Sequence, residues 1–253
     1  MNLDLFSLRG KTAVVTGSSK GIGASIAVAL AEAGANVTVH GNSTPPDSVL
    51  ARVRDAGVKA ASVQGDLSDS EVCRELVDRT VRDFGSLDIL VNNAGIIRRS
   101  PAEIYSADDW QKVIDVNLTS VFRLSQLAGR QMLKQGCGKI INIASLLSFQ
   151  GGIFVPAYAA AKGAVAQVTK ALANEWAEKG VCVNAIAPGY IATDNTAALR
   201  ADEKRNRQIL ERIPAARWGN PEDLCGAAVF LASSASDYVN GHVLVVDGGW
   251  LAR

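Results

Sequence analysis

The sequence predicts an α/β fold built on a doubly wound parallel sheet of about seven strands, with helices on both faces, in a single domain spanning residues 1–253. Short β-branched segments alternate with longer segments of helical pattern along the whole chain. The short segments are continuously apolar, which is typical of parallel strands covered on both faces. The length suits one α/β domain, and we find no internal repeat or linker.

The elements follow one another in the order that such a sheet requires. The predicted strands lie at 12–16, 36–40, 60–64, 87–91, 139–143, 181–186 and 243–246. The predicted helices lie at 22–33, 47–56, 69–84, 107–134, 158–178, 196–212 and 221–232. Gly34 directly follows the first helix and Pro221 opens the last, as expected for a helix C terminus and a helix N terminus.

The composition argues against several classes of function. The net charge is +1, from 26 basic and 25 acidic residues spread along the chain, so we expect no nucleic-acid partner. The four cysteines are far apart, which predicts neither zinc nor disulfides but a soluble protein of a reducing compartment, the cytoplasm. Two histidines are too few for us to expect a metal site or a Ser-His-Asp hydrolase.

Membrane insertion and secretion are not expected from the sequence. The longest uncharged segment, 140–161, is interrupted by glycine, proline and polar side chains, which do not suit a spanning helix. The first residues lack the basic and apolar regions of a signal peptide. An uncharged but polar segment of this kind fits the lining of a cleft better.

A glycine-rich loop lies between the first strand and the first helix. It reads TGSSKGIG over 16–23, with glycines at 17, 21 and 23. Such glycines let backbone N–H groups and the N terminus of a helix approach a pyrophosphate. An ordinary glycine-rich turn is the alternative, but the position after the first strand predicts dinucleotide binding.

The ends of the next strands bear on which dinucleotide is bound. Asp66 is expected either to accept from an adenine amino group or to cap the following helix. An acid at the end of the second strand would read a 2′-hydroxyl, but the chain has HGNS at 40–43. Lys20 adds a positive charge to the glycine loop. We therefore predict that NADP(H) is accepted, with NAD as the alternative cofactor.

The segment 145–162, SLLSFQGGIFVPAYAAAK, carries the candidate chemistry. Tyr158 and Lys162 are four residues apart and share one face of a helix. An ammonium beside a phenol lowers the phenol pKa from about 10, which predicts a base that takes a proton from an alcohol. Ser145 would hold the same oxygen. A half-buried tyrosine and a solvated lysine are the alternative.

These motifs, together with NNAG at 92–95, make the chain resemble the short-chain dehydrogenase/reductase family. The resemblance implies a Rossmann-type fold, a nicotinamide-dependent alcohol dehydrogenase or ketone reductase, and a homotetramer. It implies a catalytic set of Asn117, Ser145, Tyr158 and Lys162, in which Asn117 anchors a water. The cofactor-binding residues suggested by the motifs and by the resemblance are Gly17, Ser19, Lys20, Gly21, Ile22, Gly23, His40, Asn42, Asp66, Leu67, Asn93, Ala94, Gly95, Tyr158, Lys162, Pro188, Gly189, Ile191 and Thr193.

A closer resemblance, to the sugar-acid branch of this family, is carried by NNAGIIRR, NIASLLSFQGG, RIPAARWG and DGGWLAR. It implies a substrate such as 2-deoxy-D-gluconate or 2-keto-3-deoxygluconate. The predicted substrate contacts are Arg98, Arg99, Ser145, Gln150 and Tyr190. A guanidinium can clamp a carboxylate, although two solvated loop arginines are an alternative, and at most one is expected to point inward.

The charged segment 194–212 is predicted to form a lid within about 190–215, or else a solvated helix. Two other functions stay open at this point. A 3-oxoacyl carrier-protein reductase shares the fold and the catalytic set. A dinucleotide-binding regulatory protein without catalysis should lack part of that set, and this chain has all four residues.

Overall fold

The computed structural model describes residues 3–253 and confirms the α/β fold. All seven strands form one parallel sheet in the order β3-β2-β1-β4-β5-β6-β7. They are β1 Thr12–Val15, β2 Asn36–Gly41, β3 Ala60–Gln64, β4 Ile89–Asn92, β5 Gly138–Ile143, β6 Val181–Pro188 and β7 Val243–Val246. Every predicted strand is present, because continuous β-branched runs are a strong signal for buried parallel strands.

Helices connect the strands. They are α1 Gly21–Glu32, α2 Asp47–Asp55, α3 Ser70–Phe84, α4 Ala107–Ile114, α5 Ser120–Gln135, α6 Pro156–Trp176, α7 Ala197–Ala201, α8 Glu203–Arg212 and α9 Cys225–Ala232. Local signals set their ends: the Asp69 side chain accepts from Glu71 N–H at the start of α3, and Gly85 ends that helix in the left-handed region. Within residues 3–253, no helix combines the length and apolarity needed to cross a membrane.

Three predicted helices are divided. A π-helical turn, Asp115–Thr119, separates α4 from α5 where one helix over 107–134 was expected. Asp202 leaves helical geometry and caps α8 by accepting from Arg205 N–H, so the segment 196–212 contains two helices. A 3₁₀ turn over Pro221–Leu224 precedes α9. Apolar periodicity does not reveal such breaks, because the apolar side chains after each break continue the helical spacing of those before it.

The core has one layer on each face of the sheet. Ala13 and Val15 of β1 face one layer, whereas Val14 between them faces the other. Buried side chains of α1, α2 and α9 pack in the first layer, and those of α3, α5 and α6 pack in the second. The chain winds outward from β1 in one direction and from β4 in the other. Their carboxyl ends therefore flank the crevice where ligands bind in such sheets.

Candidate active site

A cleft of about 600 Å³ opens along the carboxyl edge of the sheet. Every residue that the sequence suggested for cofactor binding lines it, together with Ser145. The lining also contains residues that the sequence analysis did not select: Ser43, Thr44, Ile96, Val116, Ile143, Ala144, Ala192, Asp194, Asn195 and Thr196. Most of these lie within a few positions of selected ones, so extending each motif along the chain would have found them.

The glycine loop packs directly against the end of β4. A Cβ on Gly17 would lie 2.9 Å from Ala94 Cα, and one on Gly23 would lie 2.3 Å from Asn93 Nδ2. The Asn93 amide donates to the carbonyls of Thr16 (2.8 Å) and Gly17 (3.0 Å). The glycines at 17 and 23 are therefore required by close packing, which holds the two motifs together.

The N terminus of α1 begins within this loop and can bind an anion. Among the residues described, no side chain caps this helix, because Lys20 makes no capping hydrogen bond. Gly21 begins the helix at φ +59°, a left-handed conformation that glycine adopts without strain. Uncapped N–H groups at the positive end of a helix dipole are a site for a pyrophosphate. The residues of the cleft thus fit a dinucleotide.

His40 lies under the cleft, buried, and bridges two loops. Its Nδ1 accepts from Gly17 N–H at 3.1 Å, and its Nε2 lies 2.9 Å from the Gly65 carbonyl, to which it donates. Burial lowers the histidine pKa, against the smaller opposing effects of the Gly65 hydrogen bond and of the Asp66 charge. A neutral imidazole with an acceptor Nδ1 satisfies both contacts. His40 therefore supports the loop and adds no positive charge to the cleft.

The positive charge of Lys20 is shared with the opposite wall of the cleft. Its Nζ lies 2.6 Å from Asp194 Oδ2, and both side chains are exposed. Asn42, Ser43 and Thr44 follow β2 on the same side and supply neutral hydrogen-bonding groups. The sequence argument for NADP from Lys20 is weakened by its pairing with Asp194, while the neutral character of 42–44 remains.

Asp66 keeps its carboxylate at the cleft and does not cap α3, which is capped by Asp69. Its Oδ1 accepts from the N–H and the Oγ–H of Ser68, each at 2.9 Å. The Ser68 backbone hydrogen bond is the largest cause of a lowered Asp66 pKa. The alternative interpretation of Asp66 as the cap of the following helix is therefore wrong.

Tyr158 and Lys162 lie on the first turns of α6, as their spacing predicts. Lys162 is 3% exposed, and its Nζ donates to the Ile143 carbonyl at the end of β5. The ammonium lies 5.7 Å from the centroid of the Tyr158 ring. Burial lowers the Lys162 pKa to about 8.

The expected lowering of the Tyr158 pKa by Lys162 is not found. Burial raises the pKa of the Tyr158 phenol, and the opposing effects come from the hydrogen bond with Ser145 and the charge of Arg99. The physical reason is the direction of Lys162, whose amine is bound to a backbone carbonyl rather than to the phenol. The phenol is therefore the protonated form at neutral pH.

Ser145 lies two residues past the end of β5 and is held in place by the loop after it. Its Oγ accepts from Leu147 N–H at 3.1 Å and caps a 3₁₀ turn over Leu146–Ser148. The Ser148 hydroxyl in turn donates to the Lys162 carbonyl at 2.6 Å. This loop therefore connects the serine to the helix that carries the tyrosine and the lysine.

Asn117 lies on the π-helical turn behind the cleft wall and is fully buried. Its Oδ1 accepts from Ile96 N–H and its Nδ2 donates to the Ile96 carbonyl, both at 2.8 Å. The side chain is thus engaged with backbone and does not line the cleft. Single-turn π segments are frequent at functional sites, but the sequence shows no signal for one here.

The two loop arginines separate. Arg98 Nε lies 3.4 Å from Asp109 Oδ1, which directs Arg98 to the start of α4 and away from the cleft. Arg99 donates to the Asn195 carbonyl at 3.1 Å, and its charge acts on Tyr158. Neither arginine is among the described residues that line the cleft, but only the charge of Arg99 acts on Tyr158. Arg99 therefore remains the candidate substrate contact of the two.

Gln150 and Tyr190 are not brought to the cleft. Trp250 Nε1–H donates to Gln150 Oε1 at 3.0 Å. The Tyr190 ring packs against Trp250, with centroids 4.6 Å apart, and edge-on against Trp218. These aromatic partners lie far along the chain, so the sequence offered no signal for either contact.

The beginning of the predicted lid contributes to the lining of the cleft. Asp194, Asn195 and Thr196 form a 3₁₀ turn that lines the cleft, and α7 and α8 follow it. The turn is linked to the glycine loop through Asp194 and to the 96–100 loop through Asn195.

Metal-binding geometry is not found in the described part of the chain. Residues 3–253 contain no group of three or more histidine, cysteine, aspartate or glutamate side chains that could hold a metal ion. The four cysteines are free thiols.

Known proteins resemble this chain over its whole length. A profile of a family described as Enoyl-(Acyl carrier protein) reductase matches residues 17–251. The 2-dehydro-3-deoxy-D-gluconate 5-dehydrogenase of Dickeya dadantii (strain 3937) is 55% identical over 254 residues, with 100% of both chains covered. The protein of the same name from Bacillus subtilis (strain 168) is 57% identical over 250 residues, with 99% of this chain and 98% of the relative covered.

A solved structure shares both the fold and the sequence pattern. The gluconate 5-dehydrogenase from Burkholderia cenocepacia J2315, in complex with NADP and tartrate, superposes with a TM-score of 0.94 and 42% identity, covering 100% of both chains. These similarities confirm the resemblance that the motifs indicated. The chain belongs to the short-chain dehydrogenase/reductase family and is an NAD(P)-dependent oxidoreductase that acts on CH–OH groups.

Proposed function

We propose that this enzyme interconverts a secondary hydroxyl and a ketone on a sugar acid such as 2-dehydro-3-deoxy-D-gluconate. The observation that carries the proposal is Arg99, whose charge acts on the candidate catalytic tyrosine and whose guanidinium donates to the carbonyl of Asn195, a residue of the cleft lining. From that position a guanidinium can bind a substrate carboxylate at the edge of the cleft. The relatives are named for sugar acids, and the Burkholderia relative was crystallised with tartrate, a hydroxy acid with two carboxylates.

Tyr158 is the proposed proton donor and acceptor. In reduction its phenol donates a proton to the forming alkoxide, and its raised pKa keeps that proton in place at neutral pH. In oxidation it must lose the proton first, so the oxidation rate should rise with pH. The Ser145 hydroxyl donates to the same substrate oxygen and stabilises the negative charge that develops there.

Lys162 and the cleft walls are proposed to position the cofactor. When bound, the nicotinamide ring supplies or accepts the hydride. Lys162 is held by the Ile143 carbonyl, and it lines the cleft together with Pro188, Gly189 and Thr193. The neutral groups at 42–44 place no carboxylate against a 2′-phosphate and so suit NADP(H), the cofactor in the Burkholderia crystal, with NAD(H) as the alternative.

A coenzyme-by-substrate panel read at 340 nm tests the function. The substrates are 2-deoxygluconate, 2-dehydro-3-deoxygluconate, gluconate and an acetoacetyl thioester, each with NAD(H) and NADP(H). Turnover of a sugar acid supports the proposal, whereas turnover of the thioester alone would assign the enzyme to carrier-protein chemistry, in line with the description of the matching family profile.

Arg99→Ala and Arg98→Ala form a matched pair for the carboxylate contact. We expect Arg99→Ala to raise KM for a sugar acid about tenfold or more, because a charged hydrogen bond contributes about 1.5–3 kcal/mol. Arg98→Ala should leave KM nearly unchanged, since Arg98 pairs with Asp109. Equal effects of the two variants would remove Arg99 from the substrate site.

We also propose a homotetramer that works in the cytoplasm. Free thiols suit a reducing compartment. Exposed apolar side chains, among them Trp110 on α4 and Phe122 on α5, suit burial against other subunits. Light scattering at micromolar concentration tests the assembly.

A further inference from the structure

Trp250 lies where three segments that are far apart in the chain meet outside the cleft. Trp250 is 5% exposed, and its indole N–H donates to Gln150 at 3.0 Å. Its ring packs on Tyr190, and the Arg212 guanidinium lies 4.1 Å from a ring centroid. These partners belong to the loop after Ser145, the segment after β6 and the last turn of α8. Gln150, Tyr190 and Arg212 are all absent from the cleft lining formed by residues 3–253.

The turn that carries Trp250 is itself held at both ends. The Asp247 carboxylate accepts from the backbone N–H groups of Gly249 and Leu251, each at 2.8 Å. The Arg253 guanidinium donates to two backbone carbonyls at the end of α8. The Trp250 indole is therefore held by contacts outside the loop that contains Gln150. Because its N–H group is held in place, it can set the position of the Gln150 side chain that accepts from it.

The contact at Gln150 leads back to Ser145 in two steps. Gln150 N–H donates to the Leu146 carbonyl at 3.1 Å, closing the turn that follows the serine. Leu147 N–H in that turn donates to the Ser145 hydroxyl oxygen at 3.1 Å. Leu146 also packs in one apolar cluster with Trp250. A displacement of Gln150 would therefore change the direction of the Ser145 hydroxyl.

We propose that Trp250 is a positioning residue that acts through Gln150 to orient Ser145 for the reaction, an inference that rests on the proposed function. Gln150 is then an internal support of the loop and not a substrate contact. The C-terminal turn thereby takes part in the reaction without reaching the substrate.

Kinetics of three variants test this role. Trp250→Phe keeps a ring against Tyr190 and Arg212 but removes the N–H donor, and Gln150→Met removes the acceptor at similar length. Each should lower kcat about five- to tenfold, the effect of one partly buried hydrogen bond, with the coenzyme KM changed less than about twofold. Because both changes break the same contact, the double variant should be no slower than either single one.

Trp218→Phe is the matched control. It removes an indole hydrogen bond to Asn206 of α8, at 2.7 Å, in the same aromatic group. We expect kcat within about twofold of the wild type. An equal loss in Trp218→Phe, or multiplied losses in the Trp250 and Gln150 double variant, would overturn the proposal.

Hydrogen exchange of the NADP-bound protein separates this proposal from the proposed function. In Trp250→Phe the amides of Leu147 and Gln150 should exchange about tenfold faster, and the amides of α1 should not change. Unchanged exchange at the loop overturns the role of Trp250 whatever the substrate. Faster exchange, in an enzyme that turns over no sugar acid, supports the role of Trp250 and overturns only the substrate assignment.

Discussion

At the scale of single residues, Lys162 shows how burial governs the site. Its pKa is lowered to about 8 from 10.5, so between these values the folded chain binds fewer protons than the unfolded chain. Stability therefore rises with pH through this window, and the full cost of burying the ammonium applies below pH 8. The difference corresponds to about 3 kcal/mol, at ~1.36 kcal/mol for each pH unit.

Replacing this lysine should stabilise the fold and remove the activity. Lys162→Met deletes the buried charge but leaves the Ile143 carbonyl unpaired, which costs about 1 kcal/mol. We expect the free energy of unfolding at pH 7 to rise by about 2 kcal/mol, with turnover lost and the increase in stability above pH 8 abolished. Urea unfolding at pH 7 and 9.5 measures this, with the exposed Lys170→Met as control. A less stable Lys162→Met at pH 7 would contradict the argument.

His40 should affect the cofactor without touching the reaction. His40→Leu removes the acceptor for Gly17 N–H and the donor to Gly65, and we expect the dinucleotide Kd to rise about five- to tenfold. His40→Gln restores a donor and an acceptor and should recover most of the affinity.

The pH dependence of binding gives the same test a second readout. Burial lowers the His40 pKa below its ordinary 6.5, so acid protonates the ring and removes the acceptor for Gly17 N–H; the nearby Asp66 charge opposes this shift. The wild-type Kd should therefore rise as the pH falls below 6.5, and the Kd of His40→Gln should not. Fluorescence titration with NADPH measures both, and equal pH profiles would exclude His40 as the cause.

The sequence predicts residue types at the site better than it predicts their partners. Each motif was placed on the cleft because a strand end and the loop after it are local features. Lys20 meets Asp194 and Gln150 meets Trp250 across long chain separations, and the direction of Lys162 depends on a carbonyl of β5. Periodicity and spacing carry no information about such pairs, so the depressed tyrosine pKa was wrongly expected.

At the scale of elements, the interruptions within helices place the side chains of the site, whereas the lengths of the helices do not. The π-helical turn between α4 and α5 directs Asn117 inward to the Ile96 backbone. The strands could be predicted to within two residues, because β-branched runs bounded by glycine and polar residues mark both ends. The π turn could not, because its residues, DVNLT, fit the same helical pattern as their neighbours.

The pair between Lys20 and Asp194 joins the 3₁₀ turn over Asp194–Thr196, where the proposed lid begins, to the glycine loop. An anionic dinucleotide and the Asp194 carboxylate compete for the same ammonium, at 2.6 Å in this structure. Asp194→Asn removes the competitor, so we expect the Kd for NADP to fall about two- to fivefold. The Kd for NAD, which carries less negative charge, should fall less. Isothermal titration at low salt measures both.

Glu203→Gln is the control for this prediction. This variant removes one negative charge from the exposed start of α8, nine residues after Asp194. Among the described residues that line the cleft, Glu203 is not included. We expect little change in either Kd. Equal tightening by both variants would mean that net charge, and not release of Lys20, determines the affinity.

At the scale of the whole molecule, one sheet with a core layer on each face leaves some apolar side chains without cover. Trp110 on α4 and Phe122 on α5 are 42% and 45% exposed. A Cβ on Gly163 of α6 would meet no atom within 4 Å, so this helix also offers a surface of small residues. Burying such helices against copies of themselves is the usual way to cover them in a symmetric assembly.

Charges at these positions should therefore break the assembly and leave the subunit folded. Trp110→Glu and Phe122→Glu each place a carboxylate in the proposed interface, where burial against another subunit would desolvate the charge. We expect light scattering at micromolar concentration to give a smaller particle, with unchanged far-ultraviolet circular dichroism. Tyr238→Glu, on a fully exposed side chain after α9, is the control and should keep the wild-type size. If both variants keep the wild-type mass, α4 and α5 lie outside the subunit contacts, and another surface must hold the copies together.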